Sequence, residues 1–369
     1  MTDLPEVDDY KSLFLNQTAM MDVRAPVEFA QGAFLHTCNL PLMNDDEREA
    51  VGLQYKQQGQ DKAIELGHEL VSGDKKEQRV KSWSDFIHKN PQGVLYCFRG
   101  GLRSKITQQW IYEETNIKFP RVKGGYKALR RFLLDELERN TGLINPIILG
   151  GRTGIGKTIH LNKINSSIDL EGIFRHRGSV FGKHADPQPS QINIENTLSI
   201  ELLKLTENKN YNILFEDEAP NIGSRNIPKE LFSKMKSSPL ILLQDTVDNR
   251  VGIIFDEYIE SSLRQYKDFH GVDSGFEKWS EQLLNSLKRI ERRLGGERYK
   301  QLDIIMQQAI SEQKHSNDAS LHRTWIKSLL VDYYDPMYDY QLTKKNDRVV
   351  FRGDNDEVRD FLKQSYDIS

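Results

Sequence analysis

The sequence predicts an α/β protein of two domains with a mostly helical C-terminal extension. Three observations carry this expectation. The length of 369 residues exceeds one ordinary core and suits two. Two short apolar runs each lead into a glycine-containing loop and then a helical stretch: Gly93-Val-Leu-Tyr-Cys97 into Cys97-Phe-Arg-Gly-Gly-Leu-Arg-Ser104, and Pro146-Ile-Ile-Leu-Gly150 into Gly151-Arg-Thr-Gly-Ile-Gly-Lys-Thr158. Further apolar runs at Met20-Met21, Asn212-Ile-Leu-Phe215 and Leu240-Ile-Leu-Leu243 are separated by polar, helix-like segments, the alternation of buried parallel strands with helices.

Taken in chain order, Met20–Arg24 reads as a strand that delivers charge at its C-terminal end. Residues 44–81, rich in Gln, Lys, Asp and Glu with helical spacing at Ala63, Leu66 and Leu70, read as a helical surface insertion. Gly93–Cys97 is a second strand, Ser104–Tyr112 its helix, and Tyr126–Leu133 an amphipathic helix closing the first domain, with Asn140-Thr-Gly-Leu143 as the joint. The domains are set at 1–138 and 139–369. Pro146–Gly150 opens the second, and Lys157–Ile164 is the helix after its loop. From Glu257 onward the pattern is mostly helical, with Leu284, Leu287, Ile290 and Leu294 on one face.

Composition bounds the function. Hydrophobic residues at 37%, charged residues at 28%, a mean hydropathy of -0.62 and no apolar run near the ~20 residues of a membrane span exclude a membrane protein. The acidic N-terminus lacks the basic and apolar regions of a signal peptide, so a cytoplasmic location is expected. Two cysteines, Cys38 and Cys97, are too few for a disulfide framework and suit a reducing compartment, a Cys38–Cys97 bridge being the minority alternative. A net charge of -3 gives no global field for a polyanion, so contact with RNA must rest on local patches.

The Cys97 loop is built to hold an anion on a thiolate. Gly100 and Gly101 let backbone amides turn inward, Arg99 and Arg103 add positive charge, and Ser104 is placed to cap the helix. Five residues separate Cys97 from Arg103, the spacing of cysteine-based phosphatases and one more than in simple sulfurtransferases. The loop therefore has room for a tetrahedral phosphate-like group as well as a bare chalcogen.

Gly151-x4-Gly156-Lys157-Thr158, lying between strand and helix, has the Walker A pattern. The backbone around Gly151, Thr153, Gly154 and Gly156 would cradle phosphates, Lys157 would neutralise their outer charge, and Thr158 would ligate Mg²⁺. After the 213–215 strand come Glu216, Asp217 and Glu218; Asp217 is the expected metal-side carboxylate, with Glu216 or Glu218 as candidate bases. No tightly bound cofactor is expected, Mg²⁺ through Thr158 and Asp217 being the candidate metal. Arg175, His176 and Arg177 in one segment, and Lys123, Lys127 and Arg130 near the joint, are candidate RNA or substrate contacts. The basic residues from Lys288 to Arg298 interleave with Glu291 and Glu297 and read as a solvated helix face.

Asp22-Val-Arg24-Ala-Pro26-Val-Glu28-Phe29 with Gly32 and Asn39-Leu-Pro41 resembles the early signature of the rhodanese family, and Cys97 falls where that family keeps its catalytic cysteine. The first domain is thus expected to be a rhodanese-like parallel sheet, the second a P-loop NTPase-like domain. With a shared fold, Asp22 and Arg24 are structural anchors beneath the site. Together with Arg175-His-Arg-Gly-Ser-Val-Phe-Gly182, Glu216-Asp-Glu218 and Tyr333-Tyr-Asp-Pro-Met-Tyr-Asp-Tyr-Gln341, the order of motifs resembles the bacterial tRNA 2-selenouridine synthase family over nearly the whole chain. Bulky Arg152 and Ile155 in the phosphate loop depart from that family's usual pattern.

The resemblance implies a transferase that converts wobble 2-thiouridine to 2-selenouridine in the tRNAs for Lys, Glu and Gln. Geranyl diphosphate would alkylate the sulfur, and selenium from selenophosphate would then replace the S-geranyl group, with Cys97 as the selenium-carrying residue and a selenophosphate-supplying enzyme as partner. The competing expectations are a cysteine-dependent phosphatase or sulfurtransferase fused to a nucleotide-binding, kinase-like domain, and a non-catalytic nucleotide switch.

Overall fold

A computed structural model describes residues 4–368. Their contacts divide the chain into two compact units, one running to Asn140 and including Ser190–Lys204, the other holding Thr141–Pro189 and everything from Leu205. A single linear cut does not describe this division. Helix Gln191–Glu207 joins the first unit because its Ser199 donates to the Leu133 carbonyl at 2.6 Å and its Asn196 accepts from Arg130 at 2.7 Å.

The first unit is built on five parallel strands, β1 (Glu6–Val7), β2 (Met20–Asp22), β3 (Thr37–Asn39), β4 (Val94–Tyr96) and β5 (Arg121–Val122), in the order β1-β5-β4-β2-β3. The chain leaves β2 towards β3 and leaves β4 towards β5, in opposite directions. The crevice at the C-terminal ends of β2 and β4 is thus a topological switch point, where open α/β sheets bind ligands. Val94, Leu95 and Tyr96 are all buried, as a central parallel strand requires.

Between β3 and β4 the chain forms three helices, Asp45–Gln58, Gln60–Leu70 and Gly73–Lys89. The insertion is more than a surface element. Val80, Trp83 and Ile87 bury one face of the third helix with Met21, Leu95 and Trp110. Their spacing of three and four residues is obscured by the surrounding Lys, Asp and Gln, which occupy the solvent face. At the expected joint, 140–143, the two units divide between Asn140 and Thr141, and the chain there is helical, within Gly125–Leu143.

In the second unit β6 (Asn145–Gly150), β7 (Ser167–Ile168), β8 (Asn212–Glu216), β11 (Leu240–Leu243) and β12 (Val349–Gly353) are parallel in the order β12-β11-β6-β8-β7, while β9 (Asn221–Ile222) and β10 (Arg225–Asn226) form a small antiparallel pair. Here the switch point lies between β6 and β11, and the phosphate loop leaves β6 beside it. Strand β12 was not expected in a stretch read as helical. It is an edge strand with alternating burial, recruited more than 100 positions after its neighbour β11. The remainder packs as a helical body around Trp279, Leu287, Ile290, Met306 and Trp325. Two π-helical segments, Phe255–Ser261 and Leu330–Tyr334, interrupt its helices. Among the described residues no helix is long and apolar enough to cross a membrane.

Candidate active sites

In the first unit β4 delivers Cys97, 3% exposed, into the switch-point crevice. The loop is held from outside by two backbone donors and one side chain: the Cys97 carbonyl accepts from Tyr126 N–H at 2.9 Å, the Phe98 carbonyl from Lys127 N–H at 3.0 Å, and the Gly100 carbonyl from the Arg121 side-chain Nη1 at 2.9 Å. This close approach needs glycine on the facing turn. At Gly125, φ is +59° and an added Cβ would lie 2.2 Å from the Cys97 carbonyl oxygen.

Helix Leu102–Thr115 begins after Gly101, whose lack of a capping side chain leaves the first-turn N–H groups for an anion. Ser104 does not cap this helix. It sits within the first turn, receives the Cys97 Sγ–H at 3.3 Å and donates to the Gly101 carbonyl at 3.0 Å. Arg103 makes a two-pronged pair with Glu28, at 2.5 and 3.1 Å. Burial pushes the Glu28 carboxyl upward, but the hydrogen bonds and charge of Arg103 outweigh it and hold the group below its ordinary pKa. Arg99 is exposed, its guanidinium 5.9 Å from the Phe98 ring centre.

One strand away, Asp22 and Arg24 form the buried pair expected of anchors. Arg24 Nε and Nη2 donate to Asp22 Oδ2 at 2.8 and 2.6 Å, Nη2 also reaches the Gly32 carbonyl at 2.7 Å, and the guanidinium lies 3.8 Å from the Tyr126 ring centre. Both cysteines are free, Cys38 exposed and Cys97 buried, so the disulfide alternative falls.

In the second unit the phosphate loop turns through Gly151, Gly154 and Gly156, all at positive φ, before the short helix Lys157–Leu161. Gly154 is constrained by packing as well: an added Cβ would meet Ile254 Cδ1 at 2.6 Å and the Arg250 carbonyl at 3.0 Å. Thr158 Oγ1 faces Glu171 at 3.2 Å and Glu216 at 3.4 Å. Asp217 is not at that hydroxyl; its carboxylate is held by Lys345 Nζ at 2.7 Å. Strand alternation explains the difference, since successive side chains point to opposite faces and Thr158 meets only one of them.

Carboxylates crowd Lys157. Burial works against its ammonium, but Glu218, Glu171, Glu216 and Asp217 together hold the pKa above its ordinary value. Burial, with repulsion from Glu171 and Asp217, outweighs Lys157 and pushes Glu218 up to about 8. Glu216 is likewise raised, by burial first and then by its acidic neighbours. Among the described residues no group of three or more His, Cys, Asp or Glu side chains is arranged to hold a metal by itself. One hydroxyl and two carboxylates are nevertheless hard oxygen donors of the kind Mg²⁺ takes when phosphates complete its shell.

The Arg175–Gly182 segment folds onto this cluster. At Gly178, φ +57°, an added Cβ would stand 2.7 Å from Glu171 and 2.8 Å from Glu218. Arg177 lies over the Tyr258 ring at 5.5 Å and leaves its buried Nη1 without a protein partner. His176 is also partly buried, its pKa lowered by burial and by Arg177, whereas Arg175 turns outward to pair with Asp186. In the first unit Arg130 is engaged by Glu195 and Asn196, Lys123 is paired with Asp8 at 3.4 Å, and Lys127 is exposed.

Several residues of this site escaped the sequence reading. Arg250 donates to the Thr153 carbonyl at 2.9 Å and to Asp335 at 2.6 and 3.0 Å; Arg152, the bulky departure in the loop, reaches Asp339 at 2.8 Å. The Tyr333–Gln341 stretch therefore braces the phosphate loop. The four-residue spacing of Asp335 and Asp339 places both on one helix face, a signal legible in sequence without revealing its target. Glu171 carries no such signal.

A family model for the tRNA 2-selenouridine synthase AAA domain matches residues 144–368. The tRNA 2-selenouridine synthase of Marinobacter nauticus is 48% identical over 98% of this chain and 99% of its own; that of Sulfurovum sp. is 46% identical over 99% and 100%; that of Pseudomonas putida strain W619 is 50% identical over 96% and 97%. A solved N-terminal domain of a protein described as ATP/GTP binding, from Clostridium difficile 630, is 29% identical over 35% of this chain and 98% of its own with a TM-score of 0.31, too low to carry an argument. With nearly full-length identity to such relatives and a matched domain over more than half its residues, the chain belongs to the tRNA 2-selenouridine synthase family.

Proposed function

We propose that this protein is a transferase that replaces the sulfur of wobble 2-thiouridine with selenium in tRNA, in two stages served by its two anion loops. The reading is carried by near full-length similarity to tRNA 2-selenouridine synthases in a chain with both loops intact. In the first stage geranyl diphosphate alkylates the base sulfur. The amides around Gly151, Thr153, Gly154 and Gly156 receive the diphosphate, and Lys157 neutralises the charge that develops as it leaves. Binding of that anion would release Lys157 from its surrounding carboxylates. Thr158 with Glu216 and Glu171 would hold Mg²⁺, whose contribution would be to neutralise phosphate charge; Arg177, with a buried donor lacking a protein partner, is suited to an anion.

In the second stage selenium from selenophosphate displaces the S-geranyl group. Alkylation makes this sensible, because a free thiolate is a poor leaving group. Cys97 is the selenium-handling thiol, supported by the unpaired N–H groups of the following helix and by Arg103; its loop spacing suits the tetrahedral selenophosphate. The substrates are the tRNAs for Lys, Glu and Gln, the partner is the enzyme that supplies selenophosphate, and the compartment is the cytoplasm. Mass spectrometry of tRNA nucleosides from a deletion strain complemented with this gene tests the proposal. Restored 2-selenouridine is the expected result, and its continued absence overturns the assignment.

A further inference from the structure

In the first unit, helices Asp45–Gln58 and Gln60–Leu70 stand opposite the start of helix Leu102–Thr115 and enclose a groove of about 630 Å³ with mainly apolar walls. Leu102, Ile106 and Trp110 repeat every four residues along one side, so that side extends about 12 Å at ~1.5 Å per residue. Val51 and Ile64 lie in the facing wall. Arg103 of the cysteine loop and its ion-pair partner Glu28 also line the groove, which brings one end of it to that loop, though Cys97 itself is not in its wall. Leu102 is 46% exposed and Leu53 is 55% exposed, an apolar surface of the kind that marks a ligand groove.

We propose that this groove receives the prenyl chain of the S-geranyl-2-thiouridine intermediate while the base is presented to Cys97, and that it holds the departing geranyl thiolate. The inference rests on the two-stage reading. After the first stage the diphosphate has gone, so the intermediate no longer offers a phosphate loop anything to grip; what distinguishes it from the starting base is a ten-carbon apolar chain. The groove has apolar walls, a matching length and a polar end at the Arg103–Glu28 pair of the cysteine loop. In the displacement a selenium lone pair of selenophosphate, held at the Cys97 loop, forms the C2–Se bond, the C2–S bond breaks, and its electron pair leaves on the geranyl thiolate, which takes a proton from solvent; water then attacks phosphorus, the P–Se bond breaks with its electron pair left on selenium, and inorganic phosphate departs. Nothing is oxidised or reduced. Burial of the non-reacting chain contributes uniform binding, which lowers KM and leaves kcat unchanged.

The test uses full-length protein, selenophosphate and two synthetic anticodon stem-loops, one carrying S-geranyl- and the other S-methyl-2-thiouridine. The wild type should show a KM at least about tenfold lower for the geranyl substrate, since each buried methylene contributes measurably to affinity. Ile64→Trp, which fills the groove, and Leu53→Asp, at an exposed position that folding tolerates, should each erase most of that ratio by raising the geranyl KM while the ratio of kcat values holds. Equal KM values for the two substrates in the wild type, or a ratio untouched by both substitutions, would overturn the groove assignment alone. Formation of no 2-selenouridine from either substrate by the wild type would overturn the two-stage reading and this inference with it.

Discussion

The two loops share a plan and differ in what holds them. Each follows a buried parallel strand at a topological switch point and ends at a helix N-terminus. The Cys97 loop is held mainly by backbone hydrogen bonds to a glycine turn, whereas the phosphate loop is braced by side-chain ion pairs from far along the chain, Arg250 with Asp335 and Arg152 with Asp339. Apart from these braces, Lys157 is surrounded by the carboxylates of Glu218, Glu171, Glu216 and Asp217. The first arrangement is sensitive to atoms added at Gly125, and the second to the loss of one member of an ion pair.

The sharpest separation comes from chemistry. Cys97→Ser should lower selenation at least about a thousandfold while geranylation continues, and Lys157→Ala should abolish geranylation, both read as tRNA nucleosides by mass spectrometry. Full 2-selenouridine in a Cys97→Ser strain would break the division of labour.

Bracing can be broken next. Asp335→Ala leaves Arg250 buried without its partner and should cost about 3–5 kcal/mol in denaturant unfolding, while the double replacement Arg250→Met with Asp335→Leu should cost much less. Equal losses would show that the pair is not what the loop depends on. On the other side, Gly125→Ala should cost roughly 1–3 kcal/mol, because it meets the Cys97 carbonyl at an unfavourable φ. An unchanged Tm would refute backbone interlocking there.

The carboxylate cluster predicts a pH signature. Glu218, raised from 4.5 to about 8, binds its proton more tightly in the folded state, so its contribution to stability is present at low pH and is lost as pH rises from about 4.5 through about 8. Glu218→Gln should flatten the fall of Tm over that window; an unaltered slope would assign the effect to another group. The smallest change expected is at Lys127. Lys127→Ala should weaken tRNA binding modestly and uniformly, reducing the salt slope by about 1 with no loss of stability, and an unchanged slope would remove it from the RNA surface.

What was legible in the sequence was local. Cys97, Gly151–Thr158 and the strands feeding them announce themselves because an anion cradle needs glycine, a helix start and a cation within one short segment. Buried parallel strands are continuous apolar runs, so the strands around Leu95, Ile148, Phe215 and Leu242 were visible too. Ser104 was rightly drawn to the loop but given a capping role, since sequence does not say whether a hydroxyl meets an N–H or a thiol.

By itself, then, the sequence determined the two anion loops, their order and the α/β class, each a matter of spacing within a few residues. Only the tertiary structure decided which acids meet Thr158, that Glu171 rather than Asp217 stands there, that Asp335 and Asp339 brace a loop some 180 positions earlier, and that residues 45–70 wall an apolar groove that reaches Arg103 of the cysteine loop. The physical reason is the same throughout. A side chain's partner across the fold depends on strand order and helix rotation, which fix which faces meet, and no spacing along the chain records that.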